Sequence, residues 1–314
     1  MSVAVLDLGT NSFTLLVAKV LPDGSLGQVA RDREAVAIGS HISSDNRVDQ
    51  DGWRRSMVAM AGLVGRARMH GAEQIVAVAT GAIRDADNGP ELLAAAAREL
   101  GIETAILAPN VAARLAYLGV RSELPSLFGC LAVIDVGGGS IEIAVGENQA
   151  SLFDCSLPLG VRRLTAMLET EPRETVREAV RAALAPAARA VRGFQPQRVV
   201  FASGTARAVH RLVRKRSTVG VGYNYMDRAA LKRVAEWAPT ASPAALIEAG
   251  VREDRLATIG IATEIVELIA DMLDVSELWL SKLGLREGVL FEQFRHGHSF
   301  QGPSKPSAPE LELT

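Results

Sequence analysis

The chain has 314 residues, 48 % of them apolar, and a formal net charge of −2. That length allows a sizeable core and roughly two domains. The near-neutral balance offers nothing to DNA or to a membrane surface, and no apolar run approaches the roughly 20 residues that span a bilayer.

In chain order, residues 3–18 (VAVLDLGTNSFTLLVA) read as strand, turn and strand, and residues 26–39 as a third strand. Residues 51–71 have helical apolar spacing that ends at a glycine. AEQIVAVAT (72–80) is a buried strand, followed by a helix with Asn88 as cap, Pro90 in its first turn and Gly101 at its end. A short strand at 102–108 precedes a helix over 111–120, and Pro125 and Gly129 mark a hinge. Strands then recur at 130–136, 140–146 and 149–156, with helices at about 173–192 and 252–272. Between those helices, RVVFAS (198–203) is a strand that runs into Gly204 and a helix from Thr205. The expected division is 1–122, 123–297 and a mobile tail from 298. His296 and His298 near that tail lack a third ligand for a metal, and His41, His70 and His210 lack a nucleophile partner. Trp53, Trp237 and Trp279 are expected in packing.

The N-terminus lacks the features of a signal peptide. Cys130 and Cys155 lack metal-ligand spacing and are expected as small buried residues of a reduced, cytoplasmic protein. Residues 205–233 hold eight basic side chains against Asp227, a candidate surface for a polyanion.

The strongest internal signal is a repeat. Residues 131–146 (LAVIDVGGGSIEIAVG) match 3–18 without a gap, with Asp7/Asp135, Gly9/Gly137 and Ser12/Ser140 identical. A duplicated strand–turn–strand unit implies two similar lobes. Glycines let backbone N–H groups converge on an anionic oxygen, and serine or threonine adds a hydroxyl donor. Gly9, Thr10, Asn11 and Ser12, with Gly137, Gly138, Gly139 and Ser140, are therefore expected to grip phosphate from two sides of a cleft. Asp7 and Asp135, at the strand ends, are placed to hold a divalent cation beside it. Arg84 follows a buried strand and a small-residue turn, where a guanidinium reaches phosphate bidentately. Glu142 alternates with Ile141 and Ile143, so its carboxylate points the other way, toward the phosphate and cation, where it orients or deprotonates water. Thr14 holds that slot in the first hairpin.

DLGTNSFTLL, ATGAIRDADN, VIDVGGGSIEI, SLPLGVRRLT, FASGTARAVHRL and KLGLREGVL, in that order over residues 3–291, resemble the motif series of the exopolyphosphatase and guanosine pentaphosphate phosphatase (Ppx/GppA) family. The resemblance implies an α/β fold of two ribonuclease-H-like domains, of the actin, Hsp70 and sugar-kinase superfamily, with the ligand between them. It implies removal of terminal phosphate from inorganic polyphosphate or the guanosine pentaphosphate alarmone with Mg²⁺, and is compatible with a homodimer that extends a basic groove. Carried across, Arg163, Gly204 and Thr205 join the phosphate set, Asp7 and Asp135 serve the metal, and Glu142 belongs to the catalytic carboxylates. A shorter, two-domain form is expected.

One departure stands out. The family's water-activating glutamate aligns with Ala112 in LAPNVAARLAYLGV (107–120), and no acidic residue lies between Glu103 and Arg121. A phosphatase of weakened activity is the favoured expectation. The alternative is a non-hydrolytic sensor of polyphosphate or of guanosine tetra- and pentaphosphate. A nucleotide-dependent kinase has only ASGTARAV (202–209) as a candidate adenosine pocket.

Overall fold

The computed structural model describes residues 2–21, 26–124 and 129–296. The expected tail from 298, His298 and Pro125 lie outside them.

The first lobe opens with β1 (Ser2–Leu8), β2 (Phe13–Val20) and β3 (Leu26–Glu34), an antiparallel meander. β4 (Gln74–Ala79) and β5 (Glu103–Ile106) extend it in parallel, giving the order β3-β2-β1-β4-β5 among the described residues. The predicted third strand stops at Glu34 instead of 39, because Ala37 takes a left-handed φ of 55° and turns the chain into a short 3₁₀ segment. α1 (Gln50–Met69), capped by Asp49 accepting from Gly52 N–H, and α3 (Gly89–Leu100) cover one face. Between β4 and α3 lies α2 (Gly81–Asp85). Asn88 sits at the N-cap of α3, yet its side chain instead clasps the backbone of Val48 through both its oxygen and its nitrogen. Gly101 ends that helix at φ 62°, as its position predicts.

The second lobe repeats this plan 128 residues later. β6 (Cys130–Val136), β7 (Ile141–Glu147) and β8 (Ala150–Leu157) form the meander, and β9 (Arg198–Phe201) runs parallel to β6. β10 (Tyr225–Asp227) and β11 (Glu277–Leu280) complete the order β8-β7-β6-β9-β11-β10. The apolar face of this sheet is packed by α6 (Arg173–Gly193), α7 (Gly204–Arg216), α8 (Arg228–Trp237) and α10 (Leu256–Leu273), along with the short α5 (Val161–Met167); α9 (Pro243–Glu248) joins the same cluster. β1 and β6 are buried on both faces, which is why they read as near-continuous apolar runs.

α4 (Pro109–Glu123) lies between the sheets. Its Ala112 and Leu115 pack on the first sheet, while Ala113, Tyr117 and Val120 pack on the second. α11 (Leu285–His296) packs along α4 and β1, so the last described element returns to the first sheet. Helices α4 and α11 touch backbone to backbone: a methyl at Gly119 or Gly288 would collide with main-chain atoms of the partner helix. Cys130 and Cys155 are free thiols, the first buried and the second half-buried.

Candidate phosphate-binding site

The two glycine turns meet. Thr10, at the tip of the first, is wedged between Gly39, Gly81, Gly138 and Gly139; a methyl on Gly139 would lie 2.7 Å from its Oγ1. That hydroxyl accepts from Ala82 N–H at 3.1 Å, which locks the first turn onto the start of α2. The second turn is held from behind, because Val161 and Arg162 N–H at the start of α5 donate to the carbonyls of Gly137 and Gly138. A side chain at Gly160 would collide with the backbone of Gly138 and Gly139, so only glycine permits this stacking. The N–H groups of Thr10, Asn11, Gly138 and Gly139 have no acceptor among the described residues and remain for an anion.

Two spaces that share lining residues follow from this arrangement. A cleft of about 350 Å³ is lined by Asp7, Gly9, Thr10, Asn11, Ser12, Asp135, Gly137, Gly138, Gly204 and Thr205. Beneath it a chamber of about 110 Å³ is lined by Asp7, Asp135, Gly139, Ser140 and Glu142, with Ala112 and Ala116 of α4 on its wall. Asp135 pairs in register with Glu142 across β6–β7, as Asp7 pairs with Thr14 across β1–β2. Glu142 accepts from Ser140 Oγ and, at 3.0 Å, from Ser156 Oγ, so its carboxylate is fixed in place.

The floor is acidic and short of counter-charge. Burial pushes Asp7 up to about 6, with a further rise from Asp135 against the pull of Arg286. Burial, then the Glu142 charge, pushes Asp135 up to about 7. Glu142 is also raised by burial, which outweighs its two serine hydrogen bonds. No salt bridge reaches these three carboxylates among the described residues.

The cleft walls are cationic. Arg33, Arg162, Arg207, Arg211, Arg252, Arg255, Lys282 and Arg286 line them, drawn from five separate segments. Burial, then the neighbouring Arg33, lowers Arg255 to about 10, with Arg211 and Arg252 adding to the repulsion. Gly204 and Thr205 form the first turn of α7, whose N-terminal partial charge adds to this field.

A sequence model of the Ppx/GppA phosphatase family matches residues 16–296. The chain belongs to that family. It is 27 % identical over 306 residues to a guanosine-5'-triphosphate,3'-diphosphate pyrophosphatase of Pseudoalteromonas translucida, covering 94 % of this chain and 60 % of that one. It thus spans about three-fifths of that relative's length. It is 27 % identical over 310 residues to exopolyphosphatase 1 of Mycobacterium bovis, covering 93 % and 88 %. Among solved structures, an exopolyphosphatase from Cytophaga hutchinsonii shares the fold at TM-score 0.84 and 20 % identity over 94 % of this chain and 98 % of that one. The Aquifex aeolicus Ppx/GppA family member aligns at TM-score 0.76 and 25 % identity over 95 % and 99 %.

Two expected phosphate ligands of this Ppx/GppA chain stand apart from both spaces. Arg163 points from α5 to Asp85 at 2.7 Å and is half-exposed; its neighbour Arg162 faces the cleft and holds Asn11 Oδ1 through Nε at 2.8 Å. One residue along a helix turns a side chain by about 100°, and the sequence does not say which of two adjacent arginines faces inward. Arg84 is held by Asp85 at 3.0 Å and lines neither space. Its buried Nη1 nevertheless has no partner among the described residues, and its charge acts on Glu142.

The basic run 205–233 is not one surface. Arg207 and Arg211, one helical turn apart on α7, face the cleft. Arg216 stacks 3.7 Å from the Trp237 ring centroid, and Arg228 pairs with Glu267 at 3.5 Å and with Asp271. Arg33, Arg252 and Arg255 went unmarked because no local pattern sets them apart; Lys282 and Arg286 lie in KLGLREGVL, a stretch the resemblance had already singled out.

Proposed function

We propose that this chain is a phosphoanhydride hydrolase that removes terminal phosphate from inorganic polyphosphate or guanosine pentaphosphate. One observation carries the reading: two glycine turns close on each other over uncompensated carboxylates, beneath walls of clustered arginine. Arginines that repel one another in a partly buried cleft are stabilised by a ligand bearing several negative charges.

Mg²⁺ fits the floor. Two raised carboxylates, Asp7 and Asp135, lack a cationic partner, and among the described residues no closed cage of three acidic, histidine or cysteine ligands is formed. A pair of carboxylates that leaves the other positions to water and phosphate is the donor set this cation takes. When bound, it neutralises charge on the transferring phosphoryl group. The turns hold the terminal phosphate, Arg207 and Arg286 meet its charge, and Glu142, fixed by two serines, orients the attacking water and takes its proton.

A second reading, a non-hydrolytic sensor of the same anions, is favoured by Ala112. This apolar residue lines the chamber, and the motif resemblance aligns it with the family's water-activating glutamate. Weakened turnover and pure binding differ in one assay: incubation with Mg²⁺ and polyphosphate or guanosine pentaphosphate, with phosphate release and affinity both recorded. Measurable release supports the hydrolase; binding without release supports the sensor; neither overturns both.

A further inference from the structure

A larger cavity, of about 580 Å³, lies along α11, walled by Leu16, Leu118, Leu290 and Phe291. Its size is that of a pocket for a small organic molecule, and its walls are mostly apolar. Three charged groups in it are already satisfied. Arg31 pairs with Glu287 at 2.6 Å, and Glu292 accepts from both Nη atoms of Arg114 at 3.0 and 3.2 Å. Arg121 is different: it is 6 % exposed, and among the described residues its one hydrogen bond is from Nη1 to the Leu124 carbonyl at 3.0 Å. A guanidinium that lines a mostly apolar cavity and has one protein acceptor for its five donors suits an anionic head group.

We propose that this cavity binds a small organic anion with an apolar body, its charge on Arg121, and that the site is coupled to the phosphate cleft through Glu287. Glu287 lines both spaces. One oxygen holds Arg31 in the cavity wall, and the other accepts Gly284 N–H at 2.8 Å, at the start of α11. Arg286, the preceding residue, acts electrostatically on Asp7 and Asp135. A ligand that shifts Arg31 or α11 therefore shifts a cation that acts on the acidic floor. The coupling rests on the phosphate reading of the cleft; the cavity site does not.

The test uses 8-anilino-1-naphthalenesulfonate, an apolar ring system with one sulfonate, titrated by fluorescence into the full chain. Saturating tripolyphosphate blocks the basic cleft, so that only the cavity is read. One site per chain is expected, weakened at least tenfold by Arg121→Met and by Gln149→Trp. Gln149 is an exposed turn residue at the cavity mouth, so its replacement leaves folding intact. Equal affinity in wild type and Gln149→Trp overturns the site. The coupling expects tripolyphosphate affinity, measured by calorimetry, to change twofold or more with saturating dye in wild type but not in Gln149→Trp, where the cleft and any competition within it are the same. An unchanged affinity overturns the coupling, and a failure of tripolyphosphate itself to bind overturns the phosphate reading instead.

Discussion

Asp135 and Glu142 are cross-strand partners in the β6–β7 hairpin. Asp7 and Thr14 hold the same two places in β1–β2, so the duplicated turns share a shape but not a chemistry. The carboxylate pair exists on one side only, so the proposed proton-handling role falls to the second lobe. Glu142→Gln is expected to lower phosphate release by about 10²- to 10⁴-fold while the protein stays folded. A variant with the wild-type rate removes Glu142 from the chemistry.

Ala112 is 2 % exposed and lines the chamber that Asp7, Asp135 and Glu142 also line. Ala112→Glu places a further carboxylate into existing space of about 110 Å³. With Mg²⁺ present, phosphate release is expected to rise by about tenfold or more, within the range of a restored general base. In Mg²⁺-free buffer the added charge repels its neighbours, so Tm is expected to fall. A rate that stays flat while Mg²⁺ still raises Tm argues for the sensor.

The raised carboxylates give stability a definite dependence on pH. Asp7 and Asp135 keep their protons up to about 6 and about 7 in the folded chain, against 3.8 when free. Between those values the native state binds more protons than the unfolded one, so these two groups make stability fall as pH rises from about 4 to about 7. Asp135→Asn is expected to raise Tm at pH 8 by several degrees over wild type in Mg²⁺-free buffer, and to change it little at pH 4. Mg²⁺, which competes with protons for the same oxygens, is expected to raise wild-type Tm more at pH 8 than at pH 5. Calorimetry with the opposite ordering contradicts the assignment of these two residues.

Glycine has different work at different places. Gly160→Ala drives a methyl into the backbone of Gly138 and Gly139, with no flexible side chain to yield, and is expected to cost more than about 3 kcal/mol and to abolish anion binding. Gly65→Ala, in α1 with nothing within 4 Å, is expected to stabilise by about 0.5–1 kcal/mol. Denaturant titration of the two variants checks the contrast; similar behaviour contradicts the stacked-turn geometry.

Arg255 sits among Arg33, Arg211 and Arg252, and its release from their repulsion by a polyanion should appear as salt dependence. Arg255→Ala is expected to weaken polyphosphate binding and to flatten the slope of log affinity against log salt by about one. An unchanged slope places the chain elsewhere.

The sequence by itself determined the duplicated hairpin, the two-lobed α/β fold and the identity of the turn residues, because these are local demands. A strand buried on both faces must be apolar along its length, and a turn that lets its N–H groups converge on an anion needs glycine. Only the tertiary structure decided the rest. Arg162 rather than Arg163 faces the cleft because of the angle at which α5 docks behind Gly137 and Gly138. Arg33, Arg252, Arg255 and Arg286 converge from segments up to 253 residues apart through the packing of one lobe on the other. The return of α11 onto β1 and α4 was equally hidden, because its Gly288 answers to a helix more than 160 residues earlier. Periodicity records which face of an element is buried, but not what it is buried against.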